Sequence, residues 1–103
     1  MPGVVDPYRY PYETVAANQT AQVLGTVGAK GDYISHVVAV VATAATAAIT
    51  LIDGSTSISI FPNSPGAGVG TYTIPLGLAS QTGAWKITTG AGVSVIAVGL
   101  FSV

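Results

Sequence analysis

The stretch Val93 to Phe101, VSVIAVGLF, is apolar on both faces that a strand would present. Val93, Val95, Ala97 and Phe101 share one parity, and Ile96, Val98 and Leu100 share the other. Side chains alternate across a strand, so such a segment wants cover on both sides. A small all-β domain has only one inside. The second face is therefore expected to meet another polypeptide chain. Just upstream, Ala84 to Thr89 alternates, with Trp85 and Ile87 on one face and Lys86 and Thr88 on the other, and Gly90-Ala91-Gly92 follows as a turn. The sequence reads most simply as a terminal hairpin. Direct pairing of the two runs is open, because jelly rolls place many consecutive strands in opposite sheets.

The rest of the chain repeats this pattern of short β-branched runs between turn residues. Gln22 to Val27 is a first short strand, and Gly28 to Asp32 a polar turn. Tyr33 to Ala42 follows, with Ile34, His36, Val38 and Val40 assigned by strict alternation to one face and Tyr33, Ser35, Val37, Ala39 and Val41 to the other. Ala47 to Ile52 is next, closed by Asp53-Gly54, a pair suited to positive φ. Ser57 to Phe61 places Ile58 and Ile60 inward, and a loop dense in breakers runs from Pro62 to Gly70. Thr71 to Leu78 resumes the alternation. Pro75 cannot donate to a ladder, so this strand belongs at a sheet edge or at a bend. The uncharged span Tyr33 to Ile52 is long enough for one bilayer crossing. Its β-branched content, His36 and the polar Thr43–Thr46 break favour a buried hairpin instead.

About seven or eight strands at sandwich-like spacing, with no amphipathic helix, predict an all-β fold: an antiparallel β-sandwich of jelly-roll type. Residues 20–103 form that domain. Residues 1–19 differ in kind, with Pro2, Pro7 and Pro11 and three of the chain's five tyrosines. This segment is expected to be an extended N-terminal arm. In an extended chain Tyr8, Tyr10 and Tyr12 project to one side, as docking anchors would. Pro7, Tyr8, Arg9, Tyr10, Pro11 and Tyr12 are the candidate docking residues. Val37, Val41, Ile96, Val98 and Leu100 are the candidate subunit interface.

Composition bears on function chiefly through charge. Only 7% of residues are charged, against roughly 25% in typical soluble domains. No charged side chain lies between Asp53 and Lys86, and none follows Lys86. A free monomer of this kind would be colloidally fragile, so the chain reads as a part of something larger. With a net charge of -1 there is no basic footprint for nucleic acid and no polybasic run for a membrane. The absence of cysteine removes disulfides and thiolate metal sites. The N-terminus lacks the pattern of a secretory signal, so synthesis in the cytoplasm is expected.

Chemistry finds little support. His36 is the only histidine; Ser35 beside it should point to the opposite face, so a Ser-His-Asp site with Asp32 is not expected. In a subunit contact, His36 would instead make assembly sensitive to pH. Asp6, Glu13, Asp32 and Asp53 are scattered, without paired or metal-ligand spacing. Gly66–Gly70 and Gly90–Gly92 lack the Lys-Ser/Thr and the helix that a phosphate loop requires. Asn18-Gln19-Thr20 matches a glycosylation acceptor, which has little meaning without export. No catalytic residue, cofactor or metal is expected.

A proline- and tyrosine-bearing arm followed by ITLIDG, GTYTIPLG and GAWKITTGAGVSVIAVGLF resembles small virion proteins of tailed bacteriophages. In particular it resembles capsid decoration, or cement, proteins with a jelly-roll sandwich. The resemblance covers Gln22 to Phe101 and is one of texture. It implies a non-enzymatic protein of the capsid surface, a homo-oligomer with a trimer favoured, whose arm binds the major capsid protein. Head-fibre and tail-associated domains share this texture. A receptor- or carbohydrate-binding sandwich, with Trp85 and the Pro62–Gly70 loop as its platform, is the alternative.

Overall fold

The computed structural model describes residues 11–43, 47–61 and 68–102, and among them it contains strands and no helix. The strands are β1 (Tyr12–Val15), β2 (Gln22–Val23), β3 (Tyr33–Val41), β4 (Ile49–Asp53), β5 (Thr56–Phe61), β6 (Gly70–Ala79), β7 (Trp85–Thr89) and β8 (Val93–Leu100). They form two four-stranded sheets, β1-β8-β3-β6 (sheet A) and β2-β7-β4-β5 (sheet B), in which every pairing is antiparallel.

The chain pairs with itself from its two ends inward: β1 with β8, β2 with β7, β3 with β6 and β4 with β5. Pairing of β3 with β8 and of β4 with β7 then rolls this long double strand into a sandwich. That is the jelly-roll order, and the expected all-β sandwich is the observed fold. Only β4 and β5 are consecutive strands of one sheet. Their loop is Gly54-Ser55, with Gly54 at φ +60° and Ser55 outside the positive-φ region, as a type II′ turn requires.

Three expectations need correction. β7 and β8 lie in opposite sheets, so Gly90-Ala91-Gly92 carries a crossover and not a hairpin turn. β3 and β4 are likewise in opposite sheets, which removes the hairpin expected around Thr43–Thr46, whose residues 44–46 lie outside those described. The sandwich also begins earlier than residue 20. Tyr12–Val15 pairs with Val95–Val98 as β1, an edge strand of sheet A.

The core lies between the sheets. Val15, Ile34, Val37, Ala39, Val41, Val93, Val95 and Ala97 from sheet A meet Ile49, Leu51, Trp85 and Ile87 from sheet B, all buried. Val37 and Val41 are thus core residues, 0% and 2% exposed, and do not belong to the outer surface expected of them. The cause is a bulge. Between the Ile34 and His36 rungs β8 advances one residue, β3 two and β6 three. The extra residue in β3 shifts its parity, so Ile34 points inward with Val37, Ala39 and Val41. Gly77, at φ +65°, sits in the wider bulge of β6, where glycine accepts the turn without strain. Pro75 is at this bulge on an edge strand, as its missing donor requires.

Carboxylates fasten the ends of the sandwich. Asp32 accepts from the Ala29 and Ser102 N–H groups at 3.0 and 2.9 Å and from the Ser102 hydroxyl at 2.6 Å. Asp53 accepts from the N–H groups of Gln81 and Thr82 at 3.0 Å each. Glu13 accepts from Gly25 N–H at 2.7 Å and from the Gln22 amide at 3.2 Å, joining β1 to the β2 side of the other sheet. The Thr82 N–H is the largest influence on the Asp53 carboxyl and lowers it; burial opposes, and further bonds from Gln81 N–H, the Thr82 hydroxyl and Gly83 N–H leave it below its ordinary value.

Candidate functional site

The two outer faces of the sandwich have different chemistry. On sheet A, residues paired across strands share a face, and the outward rungs are Tyr12–Val98–His36–Pro75, Thr14–Ile96–Val38–Thr73, Ser94–Val40–Thr71 and Leu100–Tyr33–Ala79. These rungs hold no Asp, Glu, Lys or Arg, and a single histidine, His36. Tyr12 is 70% exposed, and Val40 and Leu100 are also exposed. On sheet B the outward rungs are Val23–Lys86–Ile52–Ser57 and Thr88–Thr50–Ser59. Hydroxyls and a lysine dominate there. One face is wettable and the other is an apolar surface.

The bulge that buries Val37 and Val41 also sets this surface. Ile96, Val98 and Leu100 lie on the outer face of sheet A, and Val38 and Val40 stand beside them where alternation alone had put Val37 and Val41. Of the arm residues, Pro11 and Tyr12 are described, and Pro7, Tyr8, Arg9 and Tyr10 lie outside the described residues. Tyr12 extends the apolar face at its β1 edge. Pro11, Tyr33, Leu100 and Phe101 line an open hollow of about 320 Å³ at the same end.

The bulge also breaks the opposition of Ser35 and His36. The Ser35 hydroxyl and His36 Nδ1 are 3.1 Å apart. Asp32, the third residue of the arrangement considered above, gives its two oxygens to Ala29 and Ser102. Trp85 is 2% exposed and donates from its indole N–H to the Asp32 carbonyl, so its ring packs as part of the core. Residues 62–67 of the accompanying loop are outside those described. Among the described residues no group of three or more His, Cys, Asp or Glu side chains could hold a metal, and no helix is long and apolar enough to cross a membrane.

A second surface feature lies where the sandwich is open, between edge strands β5 and β6. One end of this opening is closed by the rings of Phe61 and Tyr72, whose centroids are 5.5 Å apart. The other end is a groove of about 270 Å³ with Ile58 and Leu78 on its lips and Trp85 at its floor. Sequence alternation marked Ile58 as inward. Only the strand order shows that Ile58 and Leu78 both stand at edges, 37% and 41% exposed.

Comparison with known proteins adds no family. No protein-family model, no curated protein and no solved structure matches this chain.

Proposed function

We propose that this is a non-enzymatic structural protein of a virion, a capsid decoration or cement protein that works on the capsid surface in several copies. It binds the major capsid protein and its own neighbours, with a trimer as the favoured oligomer. The observation that carries the reading is the contrast between the outer faces: sheet A is apolar and sheet B is hydroxyl-rich. A protein with such a pair of faces turns the first toward another chain and the second toward water.

Geometry bounds the strength of the contact. Four strands about 4.8 Å apart and averaging about eight residues cover roughly 500 Å², or about 1,000 Å² counted over both partners. That is the lower limit of a specific interface. At about 25 cal/mol per Å² of apolar area, before the cost of association, a single contact of this size is weak. Many copies on a symmetric lattice reinforce one another. The low charge of the chain fits this setting, since its solubility then belongs to the assembly.

The test compares capsids assembled with the wild-type chain, without it, and with an Ile96→Lys/Val98→Lys variant. The wild type is expected to raise the temperature of capsid disruption, and the variant to fold and confer nothing. Equal disruption temperatures in all three samples would overturn the reading.

A further inference from the structure

We infer that the groove beside β5 receives the segment Tyr8-Arg9-Tyr10 from a second copy of this chain, which adds to sheet B as a short extra strand. The inference rests on the reading of the protein as a part used in several copies, and concerns a contact separate from the sheet A face.

Sheet edges are normally guarded against pairing with foreign strands. β1 carries Glu13, whose carboxylate turns inward to Gly25 and Gln22. β2 is two residues long. β6 has Pro75 and the Gly77 bulge. β5 has neither charge nor proline, and its register with β4 is regular from Thr56 to Ser59, the irregularity coming only at the Ile49–Phe61 rung. Its outer edge pairs with no described strand. The groove runs alongside this stretch, so an added strand would gain main-chain hydrogen bonds from β5 and a seat for alternate side chains over Ile58, Leu78 and Trp85.

The occupant follows from sequence and reach. Pro7 and Pro11 bracket three residues that keep their N–H groups, a length suited to the regular part of β5. Extended, Tyr8 and Tyr10 point to one side and Arg9 to the other. That sets two rings toward the groove, their hydroxyls near Thr56 and Gln81, and the charge toward water. The donor must be another copy. Pro11 is fixed at the far edge of sheet A, its carbonyl accepting from Gly99 N–H at 3.1 Å. Tyr10 is one peptide from Pro11, about 3.8 Å between Cα atoms. The β5–β6 side is three strand spacings away, about 14 Å. No chain can place its own Tyr10 beside its own β5.

The chain has no cysteine, so engineered thiols report contacts without ambiguity. Full-length Arg9→Cys, carrying a mass tag, is mixed with Ser57→Cys or Ser59→Cys under mild oxidation. A mixed disulfide dimer is expected with at least one of these, at several-fold the yield obtained with Thr50→Cys in the middle of sheet B. Adding Ile58→Asp to the β5 variant should return the yield to that background. Yields equal to the Thr50→Cys control, or higher with Val38→Cys on sheet A, would overturn the inference. Light scattering on the same wild-type sample separates the two failures. A monomer at this concentration would count against the multi-copy reading, whereas an oligomer without the crosslink would count against the arm contact alone.

Discussion

The indole N–H of Trp85, the first residue of β7, donates to the carbonyl of Asp32, next to the first residue of β3, at 2.7 Å. One buried side chain thus links sheet B to the loop that feeds sheet A. The same carbonyl accepts from Ser80 N–H at 2.9 Å, so the link gathers a third segment.

Trp85→Phe removes this donor and part of a core ring but leaves the Asp32 carbonyl one partner. The loss of one hydrogen bond together with a small cavity is expected to cost about 2 kcal/mol. Urea unfolding followed by far-UV circular dichroism checks this. In the wild type the same burial should give a blue-shifted Trp85 emission protected from iodide.

Asp53 should make the fold acid-sensitive. Its carboxyl titrates below the ordinary value of 3.8 because Thr82 and Gln81 donate to it. The stabilisation is therefore complete above that ordinary value and is lost as pH falls through the lower folded-state value. Asp53→Asn is expected to lower the urea midpoint at pH 7 and to flatten its fall below about pH 4. Midpoints at pH 7, 4 and 2.5 decide the matter.

Gly54→Ala meets two obstacles. The residue sits at φ +60°, and an added Cβ would run into the Thr82 hydroxyl and main chain. A loss of about 2 kcal/mol or more is expected, larger than for an ordinary turn glycine. Thermal unfolding of the variant beside the wild type measures it.

Folding should be slow for the size of the chain. Among eight strands only β4 and β5 form a hairpin of consecutive strands, and β1 must find β8 from the opposite end of the domain. Closure of long loops precedes most of the pairing, so refolding is expected in milliseconds to seconds. Stopped-flow Trp85 fluorescence gives the rate.

The sequence by itself determined the class of fold and the positions of most strands. Its β-branched runs, turn residues and missing helical period are local signals, and they survive in β3 to β8 to within about two residues at each end. The excess of apolar side chains on Val93 to Leu100 was likewise legible, because alternation holds throughout β8. Partnership between strands was not. Gly90-Ala91-Gly92 would serve a hairpin and a crossover equally well, and only long-range pairing assigns β7 and β8 to different sheets. The bulge near Ser35 is also a tertiary decision. Three neighbouring strands of unequal advance settle there, and their compromise sends Val37 and Val41 inward while Val38 and Val40 stay outside. Glu13 could be counted in the sequence as a charge, but its task of fastening β1 to Gly25 exists only once the two sheets face each other. Periodicity along one strand is set by covalent geometry and is readable locally. Which strand lies beside it depends on pairing across the whole chain, and that the tertiary structure alone decides.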